Sequence, residues 1–328
     1  MAQKTAAELP PPDAPISEAR TAGYRALAGA ADEMIDTHGN VRPVWQALVS
    51  AIDTMPEQDL HERFARADRY LRDAGVFYRA YGAGGSSERA WPFSHIPVLI
   101  SDAEWQVLAE GLVQRANLLE AVVADIYSEN RLVQEGFLPP QLIASNPEFL
   151  RPLVGIKPAG GHYLHFCSFE IGRGPDGNWW VLADRTQAPS GAGFALENRV
   201  ATARAFSDIY SETHVHRLAS FFGAFRKALQ ARTRSSDERI AVLSPGPANE
   251  TYFEHAYIAR YLGIMLLEGE DLTIVNGRVM VRTVAGLKPV SVLWRRLDAA
   301  FADPLELDQN SYIGTPGMVQ ALRNGAVT

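Results

Sequence analysis

A chain of 328 residues is long enough for two domains, and its 47% apolar and 21% charged residues can bury an ordinary core. That balance excludes fibrous, low-complexity and wholly disordered classes, and a formal charge of -7 leaves no electrostatic footprint for general nucleic-acid binding. Lysine occurs only at Lys4, Lys157, Lys227 and Lys288, so a phosphate clamp has to come from Arg, backbone N–H groups or a metal. The single cysteine, Cys167, supports neither an intrachain disulfide nor a cysteine zinc site. With no secretory apolar region at the start and no uncharged apolar run of about 18 residues, the expectation is a cytoplasmic protein with no membrane span.

In chain order, the polar, Pro-rich residues 1–16 read as a disordered leader. Apolar spacing predicts helices over 17–37, 43–54 and 56–75; Leu60, Phe64, Ala67 and Leu71 form the stripe of the third, and Gly75 stops it. Residues 76–81 are aromatic and strand-like, followed by a loop over 82–97 that carries Glu88-Arg89 and closes on Trp91-Pro92-Phe93. Ser101 and Asp102 cap a long helix over 103–130. Two aromatic runs, 163–172 and 178–184, flank Pro175-Asp176-Gly177 and predict a hairpin. A polar loop over 185–193 leads into helices over 194–210 and 215–231.

The charged stretch 232–238 is the expected boundary between a first region, 17–231, and an α/β domain, 239–328. In that domain a strand (239–243), a Pro/Gly turn, a helix (249–262) stopped by Gly263 and a strand (264–268) make a parallel βαβ unit. Ligands are then expected beyond the carboxyl ends of its strands. Asn276-Gly277 joins two further strands, 272–275 and 278–283, and another strand covers 290–295.

The densest polar constellation runs from Asp184 to Gly193 and on to Glu197-Asn198-Arg199. Asp184 sits where a strand emerges, and Glu197 and Asn198 lie near the start of the next helix. Two carboxylates and an amide oxygen suit an octahedral Mg²⁺ that also holds phosphates, while Ser190, Gly191 and Gly193 offer hydroxyl and N–H groups to anionic oxygens. The competing reading makes Asp184 and Ser190 turn and cap residues and the helix start a solvated face.

The same stretch, DRTQAPSGAGFALENR, resembles the signature of circularly permuted ATP-grasp proteins, the branch related to glutathionylspermidine synthetase-like ligases. Three other segments agree in order: Tyr81-Gly82, Glu88-Arg89 and Trp91-Pro92-Phe93; Pro245-Gly246, Asn249 and Tyr252-Phe253-Glu254-His255; and Arg295-Arg296-Leu297-Asp298 with Asp303-Pro304. The resemblance implies a mixed α/β fold: a helical N-terminal segment, an ATP-grasp-like antiparallel hairpin region and a Rossmann-like pre-ATP-grasp domain. It implies ATP and Mg²⁺ as cofactors, and the joining of a small-molecule or peptide carboxylate to an amine through an acyl-phosphate. On that pattern Asp184, Glu197 and Asn198 hold the metal, and Arg185 and Arg199 clamp the transferring phosphoryl group. Lys-bearing strands that clamp the nucleotide belong further toward the C-terminus in this family, so this chain is expected to lack them. Ala183 also departs from an acidic residue common in relatives. A non-catalytic binding module for a peptide or partner protein is the alternative, and a homo-oligomer stays open.

Outside that stretch, residues 244–250 join a strand to a helix start, where Asn249 and Glu250 are candidates to meet a substrate. Alternation puts Arg295 and Arg296 on opposite faces, so one of them, taken as Arg295, is expected at the ligand. Glu88 and Arg89 could close a substrate or phosphate lid, or form a surface pair. His255 reads as a packing residue, and neither His162 with His165 nor His214 with His216 has the placement of a metal pair. The Lys157–Gly161 segment precedes a hairpin rather than a helix and reads as a turn.

Overall fold

A computed structural model describes residues 20–82 and 85–328, with the side chains of 79–88 excepted. The expected leader over 1–16 lies outside the described residues. The first α-helices are α1 (Gln46–Thr54) and α2 (Glu57–Asp73). A two-stranded antiparallel pair follows, β1 (Phe77–Gly82) with β2 (Gly85–Ala90), and then α3 (Asp102–Ile126), α4 (Arg131–Gln134) and α5 (Pro140–Ala144). The hairpin of β3 (Ser168–Arg173) and β4 (Trp179–Arg185) leads to α6 (Ala192–Ala205), α7 (Ser207–Glu212) and α8 (Ala219–Gln230). Beyond it come β5 (Arg239–Leu243), α9 (Tyr252–Leu262), β6 (Met265–Leu267), β7 (Leu272–Val275), β8 (Arg278–Thr283), β9 (Gly286–Arg295) and α10 (Met318–Arg323).

From β5 to β8 the elements fall close to where the sequence pattern predicts them, and β9 extends the expected strand 290–295 back to Gly286. The sheet runs β6-β5-β9-β8-β7, parallel among β6, β5 and β9 and antiparallel through β8 and β7. Asn276 and Gly277 both take positive φ, 51° and 73°, which is the turn their sequence asks for. On one face Ala241, Leu243, Val279, Val281 and Val290 pack with Met318 and Ala321 of α10. On the other, Ile240, Val292 and Trp294 meet Phe222, Phe225, Ile258 and Leu262 from α8 and α9. Val290 and Val292 reach opposite faces because the β5–β9 register slips between Arg239 and Ile240, and a one-residue slip reverses side-chain direction.

A third cluster joins α1 and α2 to α6 and α7 through Trp45, Leu48, Leu71, Phe194, Ala201 and Phe206. Helix α6 therefore touches this cluster with Phe194 and Ala201 and the sheet cluster with Leu196, which is why its apolar residues follow no single stripe. By contrast α3, with its Ser101 cap accepting from the Glu104 N–H, buries only Leu108 and leaves Trp105, Val107, Val113 and Leu118 exposed.

Several expectations change; the helix expected over 194–210 is broken at Phe206 into α6 and α7. Residues 20–37 form turns and an isolated Ile35–Val41 bridge rather than a helix. Asp32 accepts from the N–H groups of Met34 and Ile35 and supplies a local alternative to helical hydrogen bonds. Within the expected loop 82–97, residues 85–90 pair with β1 in full register as β2, a strand of polar sequence that alternation does not mark. Among the described residues, no helix is long and apolar enough to cross a membrane.

Candidate functional site

The loop after β4 is held against the α/β domain from three directions. Glu254, in the first turn of α9, accepts the Gly191 N–H at 2.8 Å on Oε1 and 3.0 Å on Oε2, and the Gly193 N–H at 2.8 Å. Arg296 donates to the Pro189 carbonyl and to Ser190 Oγ, each at 2.8 Å. Arg295 donates to Gln187 Oε1. Gly193 has to be glycine here: a Cβ would stand 2.9 Å from Glu254 Cγ and 3.2 Å from Ile258 Cγ1.

The Glu254 and Arg296 side chains are each 2% exposed and 4.0 Å apart. Burial raises the Glu254 carboxyl, and it lowers the Arg296 guanidinium against the pull of Glu254. Burial also brings Arg295 down to about 10, still a cation at neutral pH. Between this loop and the β5–α9 turn lies a cleft of about 430 Å³, lined by Ser190, Asn249, Glu250, Thr251, Arg296, Asp298 and two alanines. It sits past the carboxyl ends of β5 and β9, where an open parallel sheet places ligands. The Tyr78 hydroxyl donates to Glu250 Oε2, which brings β1 to the rim.

Behind the cleft, His255 is buried and its pKa falls to about 3, through burial first and the nearby Arg296 second. Its Nδ1 lies 3.0 Å from Ser244 Oγ and its Nε2 3.3 Å from Thr251 Oγ1. It is a satisfied interior histidine, as the sequence reading has it.

The residues expected to share a cation are engaged separately. Arg115 of α3 makes a two-pronged pair with Asp184, at 2.6 and 2.8 Å, and this contact holds the carboxyl below its ordinary range. Glu197 is buried and accepts from the Tyr70 hydroxyl at 2.6 Å; burial and this bond push Tyr70 up to about 12. Asn198 Oδ1 accepts from the Trp91 indole at 2.7 Å. Among the described residues, no three His, Cys, Asp or Glu side chains gather as a metal set. The donor set therefore does not fit Mg²⁺ in this arrangement.

The remaining candidates divide between cleft and scaffold. Ser190, Asn249 and Glu250 meet in the cleft. The Gly191 and Gly193 N–H groups, expected to face phosphate, are taken by Glu254. Arg185 pairs across the hairpin with Glu170, and Arg199 donates to the His216 carbonyl at 2.9 Å. Arg89 is exposed on β2, in register with Tyr78, while the Glu88 side chain lies outside the described residues. Arg296 is the lining residue that the alternation argument set aside in favour of Arg295. Because β9 ends at Arg295, strand geometry no longer separates the two, and both reach the same loop. A dense polar loop followed by twin arginines at a strand end was the signal available for it.

Comparison with known proteins matches this architecture. A protein from Mycobacterium tuberculosis strain H37Rv is 38% identical over 307 residues, spanning 90% of this chain and 35% of the relative. One from Synechocystis is 33% identical over 298 residues, covering 90% of this chain and 62% of the relative. The chain thus spans about a third to three-fifths of the length of these relatives. A glutathione synthetase-like effector from Globodera pallida has the same fold, with a TM-score of 0.52 at 17% identity, over 82% of this chain and 64% of that one. The model of the circularly permuted ATP-grasp type 2 proteins matches residues 97–328, and the chain belongs to that family.

Proposed function

We propose that the protein joins a carboxylate to an amine at the expense of ATP, through an acyl-phosphate, and that this chain supplies a substrate cleft for that reaction. The observation that carries the reading is the cleft at the sheet's carboxyl edge, with buried Arg296 and a loop clamped by Glu254. A carbonyl or carboxylate oxygen entering it finds hydrogen-bond donors on Arg296 and Asn249, positioned by other contacts before the substrate arrives. The ATP-grasp family membership supports an ATP-dependent reaction, and ATP with Mg²⁺ would supply the phosphoryl group and neutralise its charge. No step is assigned to Asp184, Glu197 or Asn198 as metal ligands, since each already has a protein donor.

The test is ADP release by the full-length protein with Mg-ATP across a panel of carboxylates and amines. Acceptor-dependent ADP is the expected result, and its absence throughout rejects ligase activity. One observation favours a second reading, a binding module without catalysis: the carboxylates on the strands β3 and β4, Glu170 and Asp184, carry arginine counter-ions. Calorimetric titration of ATP with and without Mg²⁺ separates the two, because a ligase site gains affinity with the metal and a metal-blind module does not.

A further inference from the structure

We infer that the cleft receives the amine-bearing partner, in the form of a small amino acid or peptide whose ammonium lies next to a carbonyl or carboxylate oxygen. This rests on the ligase reading for its biological use but not for its chemistry. The lining carries three charged side chains, Glu250, Asp298 and Arg296. Arg296 faces Glu254, Asp298 acts electrostatically on Arg295, and Glu148 also acts on Arg295 while accepting from Gln187. Four carboxylates thus stand against two guanidinium groups: Glu254 is buried, Glu148 is exposed outside the lining and engaged by Gln187, and the exposed acids that line the cleft are Glu250 and Asp298. Such a surplus draws in a cation and opposes the phosphate or carboxylate of the other partner. Arg296 adds an independent sign of an acceptor to be met: it is nearly fully buried, and its Nε–H has no partner among the described residues.

Hydrogen-bond direction fixes the rest. The Thr251 N–H donates to Asn249 Oδ1 at 2.9 Å, so that atom is the amide oxygen and Nδ2 is the group left for the cleft. Thr251 Oγ1 also gives its proton to Asn249 Oδ1, at 2.8 Å, and therefore accepts from His255 Nε2. Neutral His255 is then bare at Nδ1 and accepts from Ser244 Oγ, while the Gly246 N–H closes the chain on that oxygen at 3.1 Å. The Asn249 amide is locked as a donor beside two carboxylates. A ligand that satisfies both ends carries a cation and an oxygen acceptor a few bonds apart. His255 and Thr251 are positioning residues, since they act through Asn249.

Calorimetric titration without nucleotide tests this, using alanylalanine, its N-acetylated form and ethylenediamine. Alanylalanine is expected to bind, and acetylation to weaken it at least tenfold. Asp298→Asn and Glu250→Gln each weaken alanylalanine about tenfold and leave the acetylated peptide unchanged; Asp298 is exposed, so its variant folds even if the Tyr78 contact makes the Glu250 variant fragile. Thr251→Val lowers affinity for alanylalanine but not for ethylenediamine, which has no oxygen. Equal binding of the free and acetylated peptides, or no binding of alanylalanine at millimolar concentration, overturns the inference. ADP release does not enter these readouts, so an inactive ligase with intact peptide discrimination sinks only the ligase reading.

Discussion

Two arginine–carboxylate pairs stand at the two ends of the loop after β4, and they do different things. At the hairpin, Arg115 and Asp184 meet at the surface, with side chains 42% and 23% exposed, and water competes for every bond they make. At the cleft, Arg296 and Glu254 are shut away from solvent and neither spends its best geometry on the other: Glu254 binds backbone N–H groups and Arg296 binds a carbonyl and a hydroxyl. The buried pair is therefore a device for shaping backbone. The exposed pair is a clasp between α3 and the hairpin.

The comparison breaks most visibly at Glu254. Glu254→Gln leaves Arg296 buried without a counter-charge and is expected to cost about 3–5 kcal/mol in urea unfolding; a loss near zero would mean that the loop is held by something else. Gly193→Ala forces a methyl group against Glu254 and Ile258, with an expected cost of about 1–3 kcal/mol in the same measurement. The next effect is one of pH. His255 has a folded pKa of about 3 against an ordinary 6.5, so the unfolded chain binds a proton that the folded chain refuses. Stability attributable to His255 is complete above pH 6.5 and falls as pH drops toward 3, by at most about 1.4 kcal/mol per pH unit. The difference between the wild-type and His255→Gln unfolding curves over pH 4.5–6.5 isolates this slope; parallel curves would refute the buried neutral imidazole. Smallest of all, Arg115→Ala is expected to shift the thermal midpoint no more than an ordinary surface substitution, and a large drop would promote the clasp to a core element.

What the sequence shows of this arrangement divides by range. The strand β5, the β7–β8 hairpin on Asn276-Gly277 and the stop at Gly263 are local matters of periodicity and turn chemistry, and they stand where the residues put them. The polar loop and Asn249-Glu250 were also recognisable as places where chemistry could gather. The partners were not: Arg115 lies 69 positions from Asp184, Tyr70 lies 127 from Glu197, and Arg296 lies 106 from Ser190. Local pattern cannot say that a helix start will turn Glu197 toward a tyrosine rather than toward Asp184. Nor does the run of residues 20–37 announce that Asp32 will spend its carboxylate on the backbone and replace a helix with turns.

Strand β9 has a mechanical consequence for ligand recognition. Its first part pairs antiparallel with β8 and its second part parallel with β5, so ten residues stitch the two halves of the sheet together. Such a central strand opens only with the whole domain, and its amides should exchange with deuterium last. Arg295 ends that strand and Arg296 follows it directly, whereas Glu250 and Asp298 ride on short connecting segments. The guanidinium anchor is therefore mounted on bedrock and the acidic lip on softer ground: ligands of differing bulk would be accommodated by the lip, with the anchor point held constant.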